Sequence, residues 1–141
     1  MAHQPPLPDQ SEAGTVVFVC EHGSAKSVVA AALFNRLAAQ QGLQFSAVSR
    51  GTDPDSENHP AAVAGLAADG LKTQGQPSRL APADLATAAA VVAFSPLPAG
   101  TTAPLPVREW VVPPVSEDYV AARDAIAVHI DELLADLRNR F

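Results

Sequence analysis

The chain has 141 residues, 48% of them hydrophobic, 17% charged and 5% aromatic, with a formal net charge of -6. That length suits one ordinary domain, and the apolar fraction is enough for a buried core and too high for intrinsic disorder. The 9 Lys and Arg are scattered among 15 acidic residues, and no apolar run approaches the roughly 20 residues of a bilayer span, so neither nucleic acid nor membrane is an expected partner.

Residues 1–14 have neither the charged start nor the apolar segment of a signal peptide, and read as a flexible, proline-bearing tail before a single domain over 15–141. TVVFVC, over 15–20, is an unbroken run of β-branched and aromatic residues, the pattern of a strand buried on both faces of a parallel sheet. A short loop follows. Over 26–41, Val28, Val29, Ala32, Leu33 and Leu37 recur at helical spacing, and Gly42 stands at the C-cap position. A second strand is expected over 45–51, then a polar loop, then an Ala-rich helix over 59–69 closed by Gly70. Pro82 and Asp84 begin a short helix, behind which Val91, Val92, Ala93 and Phe94 form a third buried strand. After a Pro- and Thr-rich loop over 96–106, residues 107–112 are expected as a fourth strand, stopped by Pro113 and Pro114, which cannot donate to a ladder. From Ser116 onward, Tyr119, Ala122, Ile126, Ile130, Leu133, Leu134 and Leu137 mark a long amphipathic helix. Strands alternating with helices predict an α/β three-layer sandwich, with a parallel sheet of about four strands and helices on both faces.

The chain has one cysteine, Cys20, which excludes an intrachain disulfide. His3, His22, His59 and His129 show no paired spacing, so no metal site and no cofactor is expected. A single thiol without a disulfide partner fits a reducing, cytoplasmic compartment. In parallel α/β folds the ligand site lies at the carboxyl ends of the strands, where loops feed helix N-termini. Cys20 stands at such a strand exit, followed by Glu21, His22, Gly23, Ser24, Ala25, Lys26 and Ser27. Converging backbone N–H groups and the helix dipole favour both a thiolate and a bound oxyanion there. Lys26 adds a cation, and the Ser27 hydroxyl can donate to the sulfur. The competing reading makes Cys20 an inert, buried thiol. A triphosphate-binding loop is discounted, because it needs glycine where this chain has Cys20 and Ala25.

VVFVCEHGSAKSVVAAALF resembles the low-molecular-weight protein tyrosine phosphatases and the related arsenate reductases, whose signature is a strand, Cys-x5-Arg-Ser and a helix. SRGT at Ser49 to Thr52 looks like the second-strand SAGT of that family, HPAAVAGLAADGL like its second helix and AAAVVAFS like its third strand. The resemblance runs from Thr15 to the C-terminus and implies a nucleophilic Cys20, with Lys26 and Ser27 as its catalytic companions and residues Glu21, His22, Gly23, Ser24, Ala25 and Lys26 as the oxyanion-binding loop. Three departures fall on chemistry. Lys26 replaces an arginine that grips the oxyanion with a planar fork. His22 and Gly23 replace a Gly-Asn pair, and Pro113-Pro114 replaces the Asp-Pro that supplies a leaving-group acid. Glu117 and Asp118 are candidate substitutes for that acid, with the first turn of the last helix as their plainer role. Arg50 and His59 are candidates to flank the pocket mouth.

Three functions follow. The first is a cysteine-dependent phosphatase or arsenate reductase acting on a phosphate-like anion or phosphorylated substrate. Arsenate reduction would draw on an external thiol such as glutathione or thioredoxin, because no second cysteine exists to resolve the adduct. The second is a catalytically degenerate member that binds an oxyanion or a partner. The third, and weakest, is a phosphocysteine phosphotransfer carrier, whose Cys-x-x-Gly-x-x-x-Ser loop is also matched by Cys20, Gly23 and Ser27.

Overall fold

The structure is a computed structural model that describes residues 14–140. The tail expected over 1–14 lies outside the described residues except for Gly14. Four parallel strands, β1 (Thr15–Cys20), β2 (Ser46–Gly51), β3 (Ala88–Ala93) and β4 (Val107–Glu109), stand in the order β2-β1-β3-β4. Strand β1 is therefore central, and it is apolar at every position from Val16 to Cys20 because both of its faces are covered. Helices α1 (Lys26–Gln40), α2 (Pro60–Ala68), α3 (Pro82–Ala86) and α4 (Tyr119–Arg140) complete the fold.

The two faces of the sheet have different covers. On one, Val16, Phe18 and Val92 pack beneath α1, α2 and α4 in the larger core. Helix α1 is wedged between the sheet and α4, which explains why every residue from Ser27 to Phe34 is buried and the helix has no polar face there. Phe18 sits at the centre, its ring 5.9 Å from Phe34, 6.3 Å from Phe94 and 5.7 Å from Trp110. On the other face, Val17, Val19 and Val91 meet Leu85 of α3 with Leu80, Leu97 and Ala103. Here a five-residue helix and a proline-rich loop do what a long helix does opposite.

Several boundaries differ from the sequence expectation, each for a local reason. The strand expected over 107–112 ends at Glu109; the Trp110 N–H still bonds the Ala93 carbonyl, but Val111 is 92% exposed beyond it. Strand β3 begins at Ala88, ahead of its valines: Ala88 pairs with Thr15 and Ala90 with Val16, with a register shift between the two pairs. The last helix starts at Tyr119 and not at Ser116, because Asp118 accepts the Ala121 N–H at 3.0 Å and so occupies the N-cap. No helix among the described residues is long and apolar enough to cross a membrane.

Candidate active site

Strand β1 delivers Cys20 to the carboxyl edge of the sheet, and the chain turns through Glu21 to Ala25 before α1 begins at Lys26. The path of this loop is set from outside. Its carbonyls at Cys20, Glu21, His22 and Ser24 accept N–H bonds from Thr52, Asp53, Asp55 and His59, at 3.3, 2.7, 3.0 and 2.9 Å. The segment 52–59 thus holds the loop along most of its length, drawing its carbonyls to one side.

Two glycines make that docking possible. Gly23 has φ +60°, and a Cβ built on it would lie 2.8 Å from the Gly51 nitrogen. One built on Gly51 would lie 2.8 Å from the Gly23 nitrogen. Backbone meets backbone at this point, with no room for a side chain on either partner.

Behind the loop, Cys20 takes part in a short hydrogen-bond chain. The Ser49 hydroxyl donates to Ser27 Oγ at 2.7 Å, and Ser27 Oγ lies 3.0 Å from Cys20 Sγ. Because the Ser27 oxygen already accepts from Ser49, its single proton is free for the sulfur. Ser27 is fully buried, so this donor is fixed and shielded from water. A donor held in this way is a ready hydrogen-bond partner for the sulfur.

In front, an open pocket of about 290 Å³ is lined by Cys20, Glu21, His22, Ser24, Ala25, Lys26, Asp55 and His59, together with Phe94, Ser95, Pro114, Val115 and Ser116. A larger cavity of about 390 Å³ lies elsewhere, between α3 and the 98–102 loop, away from the thiol. Lys26 makes no ion pair among the described residues, leaving its ammonium for a ligand. Glu21 is mostly exposed, its Oε2 3.9 Å from His22 Nε2. Asp55 is held at both oxygens: Ser24 Oγ donates to Oδ2 at 2.8 Å, and His22 Nδ1 lies 3.4 Å from Oδ1.

The structure brings together most of the residues singled out in the sequence. Gly23 and Ser27 support the loop from behind and do not line the pocket. Glu117 and Asp118 are not among the lining residues; their N–H groups bond the Pro114 carbonyl, and Asp118 caps α4. Arg50 is turned away to pair with Asp84 at 3.2 Å, whereas His59 does line the pocket. Asp55 and Ser49 carried no assigned role in the sequence reading. Ser49 lay inside the SRGT motif; Asp55 sits 31 residues from Ser24 in a polar loop, where no spacing pattern marks it.

A parallel α/β fold with its thiol at the end of β1, where the chain turns into α1, defines a class of proteins built around one cysteine. The family model described as Low molecular weight phosphotyrosine protein phosphatase matches residues 15–137, and the chain belongs to that family of cysteine-dependent phosphatases and arsenate reductase-like proteins. Among curated proteins none matches. The fold is similar to a thioredoxin-dependent arsenate reductase of Corynebacterium glutamicum at 22% identity and a TM-score of 0.73, covering 91% of this chain and 63% of that one. It is also similar to an arsenate reductase of Archaeoglobus fulgidus, at 28% identity and a TM-score of 0.61, covering 86% and 97% of the two chains. A low molecular weight protein tyrosine phosphatase of T. tengcongensis matches at 21% identity and a TM-score of 0.68, covering 87% and 99%.

Proposed function

We propose that this chain is a phosphomonoester hydrolase in which Cys20 is the nucleophile. The observation that carries the reading is the chain Ser49 to Ser27 to Cys20, with the buried Ser27 hydroxyl 3.0 Å from the sulfur and its proton free to donate to it. The Cys20 thiolate attacks phosphorus in line with the ester oxygen and forms an S-phosphocysteine, which water then hydrolyses. The loop Glu21–Lys26 binds the transferring phosphoryl group. Its carbonyls are drawn toward the 52–59 segment, an arrangement that favours N–H groups facing the anion. Lys26 supplies the charge that the equatorial oxygens require, as a point donor and not as a planar fork.

A second reaction at the same thiol is arsenate reduction. Cys20 is the only cysteine in the chain, so a thiol–arsenate adduct would be resolved by an external thiol such as glutathione or thioredoxin. Dependence on a reduced thiol fits a cytoplasmic setting. The test is steady-state phosphatase and thiol-coupled arsenate reduction assays on the parent protein beside Cys20→Ser. The hydrolase reading predicts turnover of aryl phosphates by the parent and none by the variant. Equal background in both proteins, with inorganic phosphate still bound, identifies a non-catalytic oxyanion binder instead.

A further inference from the structure

Expelling an alkoxide or phenoxide from phosphorus requires a proton on the leaving oxygen. The part of the pocket lining outside the thiol loop and the 52–59 segment, Phe94, Ser95, Pro114, Val115 and Ser116, carries no titratable side chain. On the loop side the titratable groups are Cys20, Glu21, His22, Lys26, Asp55 and His59. Cys20 is the nucleophile and Lys26 the counter-charge. Asp55 is engaged at both oxygens by Ser24 and His22, and Glu21 is mostly exposed, which leaves the two imidazoles.

Their hydrogen bonds tell them apart. His59 Nδ1 accepts the Ala61 N–H at 3.1 Å, capping α2. That nitrogen is occupied as an acceptor, so the His59 ring cannot take a second proton without losing its helix cap. His22 has the reverse arrangement. Its Nδ1 lies 3.3 Å from the Asp53 carbonyl oxygen and 3.4 Å from Asp55 Oδ1, both of them acceptors, so Nδ1 carries a proton. Nε2 has no hydrogen-bond or ion-pair partner among the described residues nearer than Glu21 Oε2 at 3.9 Å. This ring can hold protons on both nitrogens, with two carboxylates beside the resulting cation. Asp55 is fixed in turn by the Ser24 hydroxyl at 2.8 Å and by its own N–H on the His22 carbonyl at 3.0 Å. A nitrogen base oriented through its far nitrogen by a carboxylate is a recurrent acid–base device.

We infer that His22, oriented by Asp55, is the proton donor to the leaving group and the base for the second step, an assignment that rests on the hydrolase reading. As the Cys20 sulfur bonds to phosphorus, the P–O bond breaks, its electron pair stays on the leaving oxygen, and that oxygen takes the Nε2 proton. Neutral His22 then accepts a proton from water as the water oxygen attacks phosphorus. The P–S bond breaks with its pair returning to sulfur, releasing phosphate and restoring the doubly protonated ring.

The test compares phenyl phosphate, whose leaving group needs the proton, with 2,4-dinitrophenyl phosphate, whose leaving group does not. Inhibition by inorganic phosphate serves as the probe of loop integrity. His22→Gln should lower kcat on phenyl phosphate about 100- to 10,000-fold, leave the pre-steady-state burst of dinitrophenolate nearly unchanged while slowing the steady-state release that follows it, and leave phosphate inhibition intact. Asp55→Asn should give an intermediate loss on phenyl phosphate with the dinitrophenolate burst unchanged, because the ring is no longer oriented through Nδ1. A dinitrophenolate burst slowed as much as phenyl phosphate turnover, slowing on neither substrate, or loss of phosphate inhibition in His22→Gln overturns the assignment. If the parent turns over neither ester, the hydrolase reading falls and the assignment falls with it.

Discussion

The Ser27 hydroxyl stands 3.0 Å from the Cys20 sulfur across a loop of six intervening residues. It can do so because Ser27 is the second residue of α1, Cys20 is the last of β1, and the loop between them folds back over its own ends. Replacing Ser27 by Ala removes the buried donor without opening a large cavity. The expected outcome is slower alkylation of Cys20 by iodoacetamide at neutral pH, by about tenfold for a charge-assisted hydrogen bond. An unchanged rate would mean that the hydroxyl does not serve the thiolate.

Gly51 and Gly23 meet so closely that the end of β2 and the anion loop are one unit. Gly51→Ala is expected to destabilise the fold by about 1 to 3 kcal/mol, and to weaken phosphate binding by more than that loss of stability explains. Chemical denaturation beside phosphate titration checks both effects. A control at Gly75, where φ is positive but an added Cβ meets nothing within 4 Å, reports backbone strain alone; Gly51 is not among the glycines of positive φ, so its loss reports crowding.

Away from the pocket, Asp69 at the end of α2 accepts the Tyr119 hydroxyl at 2.7 Å and an Arg123 N–H at 3.0 Å. The tyrosine hydrogen bond, and then the guanidinium, hold the Asp69 carboxyl below its ordinary value of 3.8. Burial, with the same carboxylate, pushes the Tyr119 phenol up. A carboxylate depressed in the folded state contributes stability that is complete above its unfolded value and is lost as pH falls through the folded one. Asp69→Asn is therefore expected to lower Tm at neutral pH, with the gap to the parent closing as the pH is taken below about 4. Denaturation scans at several acidic pH values check the closure.

Lys26→Arg is expected to raise turnover of aryl phosphates modestly, because a planar fork follows the equatorial oxygens of the transition state where an ammonium cannot. The comparison is made at saturating substrate, so that a change in kcat is not confused with tighter binding. A fall in kcat would mean that the loop is shaped around the ammonium.

The sequence made the strands and the thiol loop legible for physical reasons. TVVFVC lacks alternation because β1 is covered on both faces, and a single cysteine at its end leaves one site for thiol chemistry. The Gly42 and Gly70 helix stops follow from left-handed backbone, at φ +69° and +74°. What stayed hidden depends on contacts between distant residues. Asp55 matters because Ser24 and His22 reach it across 31 and 33 positions, and a polar loop such as TDPDSEN gives no sign of which carboxylate will be held. Glu117 and Asp118 followed the diproline closely in sequence, yet the turn at Pro114 spends Asp118 on capping α4. Sheet β4 shortened for a related reason: an edge strand is limited by what covers it, and Val111 has no cover.

The central claim is that Cys20 becomes phosphorylated during turnover. Mixing the parent with 2,4-dinitrophenyl phosphate, quenching rapidly and measuring the intact mass tests it most directly. The account predicts a transient gain of one phosphoryl group, mapped to the peptide that contains Cys20, absent from Cys20→Ser and formed no more slowly than the ester is consumed. Consumption of the ester by the parent with no phosphorylated protein at any time, or with the phosphoryl group on another residue, would contradict it.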